Sequence, residues 1–126
     1  MMLDTHSDPD VAMVGSNWWV VLHGFDTPIG DGTSSSTPAF SAAITLLNQA
    51  RSSYGKSALG FLNPTLYKWA ADQPEIFYDV TVGGNRCGEF LCCPLGYETA
   101  KGFDAVTGLG SIGDFSAMRE AALDLP

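Results

Sequence analysis

Apolar residues recur with two periods along this chain, and the two periods predict different elements. Residues 10–14, "DVAMV", form a short apolar segment. Residues 18–23, "WWVVLH", are aromatic and β-branched and predict a strand. "GFDTPIGDGTSSSTP", residues 24–38, is dense in turn formers and predicts a long loop. From about Ser34 to Ala50 the spacing becomes helical, with Phe40, Ala43, Ile44, Leu47 and Ala50 on one stripe. Ala42 and Leu46 widen the stripe until the helix is apolar nearly all round, the pattern of a helix buried in a large core. Gly55 marks the next loop. "LNPTLYKWAADQ" predicts a second helix, with Asn63 as N-cap and Pro64 in the first helical position. "IFYDVTV" predicts a strand, and the glycine-rich stretch from Gly83 to Gly113 predicts loop. "GDFSAMREAALDL" predicts a last amphipathic helix capped by Asp114. No internal repeat is present. Helices and short buried strands together predict an α/β fold.

Length and charge narrow the function classes. A chain of 126 residues suits one domain or a piece of a larger one. Its 14 acidic and 6 basic residues give a net charge of -8, which repels nucleic acid phosphates. No apolar run approaches the ~20 residues that span a bilayer. The opening "MMLDTHSDPD" has no basic region followed by an apolar run, and so does not read as a secretory signal. Cys87, Cys92 and Cys93 lie within seven residues of one another. An odd count allows one internal disulfide and one remaining thiol. Cys87 would bond Cys92 or Cys93, because adjacent cysteines bond each other only with strain. No histidine is close, so a disulfide loop in an oxidising compartment is favoured over zinc, with three reduced thiols as the other reading.

Within residues 30–48, "GDGTSSSTPAFSAAITLLN", three serines stand at the mouth of an apolar helix. They can cap the helix, or one can be a nucleophile. A serine hydroxyl needs a base to take its proton. A serine in the first turn offers a free N–H to an oxyanion and the favourable end of the helix dipole. Gly32 permits close approach of backbone to substrate, and Pro38 in a first turn would cost nothing.

"GTSSSTP" followed by a buried small-residue helix resembles the nucleophile segment of subtilisin-like serine peptidases. It resembles more closely that of the sedolisin family of serine-carboxyl peptidases, which includes lysosomal tripeptidyl peptidase. "PDVA" at Pro9–Ala12, "LGFLNPTLY" at Leu59–Tyr67, "FYDVTVG" at Phe77–Gly83 and "KGFDAVTGLGS" at Lys101–Ser111 follow in the family's order. The resemblance runs from about Pro9 to Phe115 and implies a parallel sheet with helices on both faces, of which this chain is the C-terminal portion. It implies a nucleophile helix at about 34–50 carrying Ser34, and peptide or protein hydrolysis at acid pH. The family's general base is a Glu oriented by an Asp four residues later, and a separate Asp lines the oxyanion hole. All three belong to the upstream half of the domain. Glu75 and Asp79 have the Glu-to-Asp spacing, but Asp79 belongs to a strand and to another site. His6 and His23 are read as incidental. Asp31 departs from the family, which has Ser or Gly there.

The same resemblance implies one calcium ion held by Asp79, Val80, Ala100, Gly102 and Asp104, in a region at about 79–104. Calcium takes 6–8 oxygen ligands and mixes carboxylates with carbonyls. Ala100 stands where the family has Gly. The expected location of the full-length protein is lysosomal or extracellular. The expected partners are a peptide or protein substrate and the upstream half of the domain, with no nucleic acid and no membrane. The competing expectation is a truncated, inactive fragment or binding module without the Glu/Asp pair.

Overall fold

The computed structural model describes residues 9–28, 30–88 and 91–126. The readings made on residues 1–8, His6 included, lie outside them. The elements run β1 (Trp19–Leu22), β2 (Phe25–Pro28), α1 (Thr33–Ser53), α2 (Asn63–Asp72), a 3-10 turn (Pro74–Ile76), β3 (Phe77–Tyr78), β4 (Ser111–Ile112) and α3 (Phe115–Asp124). The chain is mixed α/β. Its described strands form two small sheets, β1 with β2 and β3 with β4, both antiparallel. It divides into two compact units, residues 9–12 with Phe61–Ala117, and Met13–Gly60 with Met118–Pro126.

In the first unit Leu66, Trp69 and Ile76 are buried. Asn63 opens α2 rather than capping it; the cap position is Leu62, with no side-chain cap bond. The Asn63 amide instead donates to Asp10 Oδ2 at 2.8 Å, and the Tyr67 hydroxyl donates to Asp10 Oδ1 at 2.6 Å. The strand expected over "IFYDVTV" is only Phe77–Tyr78, because its partner β4 offers two residues. The stretch expected as loop from Gly83 to Gly113 contains β4 and three isolated antiparallel bridges, Gly84 with Glu98, Cys87 with Cys92, and Asp104 with Gly108. Cys87 is bonded to Cys92, and Cys93 is free and exposed. Asp114 caps α3 as expected, accepting from the N–H groups of Ser116 and Ala117.

In the second unit part of the expected loop is a hairpin. His23 and Gly24 both have positive φ, 53° and 83°, the turn that matches the twist of paired strands. β2 therefore folds back on β1 with Leu22 opposite Phe25. "HG" is a weaker form of the usual Asn-Gly signal, which explains why the pattern reads as loop. α1 also departs from expectation. Leu47 is buried, yet Leu46 is 53% exposed, so the helix packs on one face here instead of all round. The described elements of this unit provide no second layer to cover the other face.

Arg51, the other buried side chain of α1, is a charged residue that the periodicity does not flag. Its Nε donates to the Ser57 carbonyl at 2.6 Å, and its two terminal nitrogens donate to the carbonyls of Ala122, Leu125 and Pro126. The guanidinium fork thereby satisfies carbonyls at the end of α3 that have no helical donor. Arg51→Met is expected to destabilise the chain by about 2–4 kcal/mol, since it strands the buried Ala122 carbonyl and removes three further hydrogen bonds to Ser57, Leu125 and Pro126. Arg51→Lys is expected to recover only part, because an ammonium cannot reproduce the fork. Urea unfolding midpoints check both; a wild-type midpoint for Arg51→Met would contradict this role.

Candidate functional site

Ser34 is exposed and is the second residue of α1, after Thr33. At that position its N–H has no carbonyl four residues back in the helix. None of the serines caps the helix. The cap is Gly32 (φ 148°, ψ 164°), with no side-chain cap bond, and Ser36 Oγ turns to the Thr33 carbonyl at 3.4 Å. The capping role is thus excluded. Gly32 is fixed by its N–H to the Gly15 carbonyl at 2.8 Å, and its own carbonyl accepts from the Ser35 N–H. Its φ is one that other residues adopt only with strain.

Pro38 lies inside the helix, beyond the first turn where it was expected. Its missing N–H leaves the Ser34 carbonyl without the usual donor four residues on. Among the described residues the Ser34 hydroxyl has no hydrogen-bonded His, Asp or Glu. His23 occupies the hairpin turn. Asp31 is exposed in the segment before the helix.

The five residues expected to hold calcium lie in the first unit, and hydrogen bonds connect four of them. Asp79 Oδ2 accepts from the Gly102 N–H at 2.8 Å, and Asp104 Oδ2 accepts from the Ala100 N–H at 3.0 Å. The two carboxylates therefore bracket residues 100–104; Val80 follows Asp79 directly in the chain. Asp79 Oδ1 is buried and has no hydrogen-bond partner. A buried carboxylate oxygen without a donor is costly unless a cation meets it. An unpaired carboxylate oxygen of this kind fits a hard, oxygen-seeking ion such as calcium. No group of three His, Cys, Asp or Glu able to hold a metal occurs among the described residues, so backbone carbonyls must supply much of such a site. Asp79 also lines a cavity of about 390 Å³ with Phe77, Lys101, Phe103 and Leu109.

Asp104 is more enclosed, with 7% of its surface exposed. Its Oδ1 accepts from the N–H groups of Val106 at 2.9 Å and Thr107 at 2.8 Å, and from the Thr107 hydroxyl at 3.2 Å. Burial opposes the charge, but the N–H donors of Ala100, Thr107 and Val106 and the Thr107 hydroxyl together hold the carboxyl below its ordinary value. Sequence reasoning missed Val106 and Thr107 in this role. The signal was there in "DAVT", an Asp followed two and three residues later by donors. It missed Asp10 as well.

No family model matches the chain. It is 47% identical over 103 residues to physarolisin of Physarum polycephalum, covering 82% of this chain. It is 40% identical over 118 residues to tripeptidyl-peptidase sed1 of Aspergillus fumigatus, covering 94% of this chain. It is 38% identical over 104 residues to human tripeptidyl-peptidase 1, again covering 82%. The matched stretch covers only 17–18% of these relatives' own lengths.

The Asp104 geometry fixes a pH dependence. Its folded pKa lies below the unfolded value of about 3.9. The stability it contributes is therefore complete above that value and is lost as pH falls through the lower folded one. In chelator, unfolding midpoints of the wild-type chain are expected to fall below about pH 4. Asp104→Asn is expected to be less stable at neutral pH and to show a shallower acid decline. Parallel acid declines in the two proteins would contradict the assignment.

Proposed function

Because the chain belongs to the sedolisin family by homology over most of its length, we propose that it supplies the nucleophile and the calcium loop of a serine-carboxyl peptidase. In this reading it is the C-terminal portion of a subtilisin-like domain with a central parallel sheet. The observation that carries it is Ser34 itself, exposed at the second position of α1, behind a glycine cap and with no capping duty. Its hydroxyl attacks the scissile carbonyl, and the N–H groups of the first turn face the charge that develops. The proton goes to a carboxylate of the upstream half, which suits work in acid. The substrate is a peptide, cut by endopeptidase or tripeptidyl-peptidase action.

Asp79, Val80, Ala100, Gly102 and Asp104 would hold one calcium ion. When bound, the ion neutralises the two carboxylates and ties the end of β3 to residues 100–104. The upstream half is the partner that covers the apolar surface of the second unit, where Trp19, Val21 and Phe25 are 68–75% exposed. The Cys87–Cys92 disulfide accords with an oxidising, lysosomal or extracellular location. The absence of a base bonded to Ser34 among the described residues favours a second reading, an inactive fragment. An upstream Glu-x-x-x-Asp in the same reading frame decides between the two.

In a peptidase domain that includes the upstream half, Ser34→Ala is expected to abolish peptide hydrolysis at acid pH, while Ser36→Ala retains it. Loss with Ser36→Ala alone would reassign the nucleophile. Thermal unfolding of the chain is expected to shift upward in calcium relative to chelator, by about 2.7 kcal/mol of stability at a hundredfold excess over the dissociation constant. Asp104→Asn is expected to lose the shift. Equal melting of wild type in both buffers would remove calcium from the account.

A further inference from the structure

We infer that Thr107 is a positioning residue for the calcium site, and that it makes Asp104 a one-oxygen ligand through Oδ2. This rests on the calcium reading above. A carboxylate oxygen has about two lone-pair sites. Asp104 Oδ1 already receives three donors, the Val106 N–H, the Thr107 N–H and the Thr107 hydroxyl. It has no capacity left for a metal. Oδ2 receives a single donor, the Ala100 N–H, from the same loop that carries the expected carbonyl ligands. The carboxylate is therefore held by one oxygen and offers the other.

The hold is rigid for a local reason. Val106 and Thr107 lie two and three residues after Asp104, and the turn closes where Asp104 and Gly108 exchange both backbone hydrogen bonds, at 3.2 and 2.9 Å. The hydroxyl of Thr107 adds the third donor from the side chain. It restrains rotation of the carboxylate about its terminal bond, a torsion that is otherwise broad. Ordering the carboxylate before the ion arrives removes an entropic cost from binding. Thr107 touches neither the ion nor the substrate; it acts through Asp104.

The experiment is calcium titration of the chain by calorimetry, with melting in chelator as a second readout. Thr107→Val keeps the shape and the N–H but removes the hydroxyl. It is expected to weaken calcium binding about tenfold, the effect of one hydrogen bond to a charged group. Thr107→Ser keeps the hydroxyl and is expected to bind within about twofold of wild type, since the donor is retained. A Thr107→Val that binds calcium like wild type, yet melts lower in calcium and in chelator alike, would show a packing role only and overturn the inference. So would a Thr107→Ser as weak as Thr107→Val, because the methyl group would then be the cause. Absence of calcium binding by the wild-type chain would overturn the calcium reading and this inference with it, a result distinct from both others.

Discussion

The carboxylate of Asp104 is the point on which the first unit turns. Three donors fix its Oδ1 and a fourth meets Oδ2. Its backbone pairs with Gly108 in both directions. Gly108 has a φ of +62°, and a Cβ there would come within 2.2 Å of the Asp10 carbonyl. Only glycine allows that approach. The Leu109 N–H then donates to the same Asp10 carbonyl at 2.8 Å, and the Asp10 side chain accepts from Asn63 and Tyr67 of α2. The Asp104 turn and Asp10 together link the loop, residues 9–12 and α2 through these hydrogen bonds. The unit has few buried apolar side chains, so these polar contacts carry more than their usual share of its specificity.

The same arrangement explains why an acidic protein of this kind can keep a charged aspartate buried. Desolvation alone would neutralise it. Backbone N–H groups stabilise the anion without introducing a competing charge, and Asp79, with Oδ1 unpaired, meets the same loop through the Gly102 N–H. Each carboxylate thus keeps one oxygen with spare acceptor capacity, Asp104 Oδ2 with its single donor and Asp79 Oδ1 with none, which supports the calcium proposal.

Much of the fold was legible from the chain. Helical spacing located α1, α2 and α3, and Asp114 declared its cap. Two strands escaped: β2, because the turn His23-Gly24 relies on a positive φ that histidine adopts less readily than asparagine, and β4, whose two residues lie in a glycine-rich stretch that reads as loop. Arg51 escaped because periodicity counts apolar residues, and its role depends on carbonyls some seventy residues away in sequence. Ser34 stood out as a candidate only through its motif: the spacing of "GTSSSTP" fits a cap as well as a nucleophile, and in the fold Gly32 takes the cap position. The proposed calcium ligands could be suggested by resemblance alone, since carbonyl ligands leave no mark on side-chain identity. Val106 and Thr107 were legible in principle, as a short-range turn around an aspartate.

The catalytic claim concerns one oxygen atom. It is tested most directly by covalent trapping, with a peptide phosphonate ester incubated at acid pH with a domain that contains both this chain and the upstream half. Peptide mapping by mass spectrometry then locates the adduct. The account predicts a single adduct on Ser34, formed only in folded protein and blocked by competing substrate. An adduct on Ser35 or Ser36, or a folded domain that cleaves peptide while Ser34 stays unmodified, would contradict it.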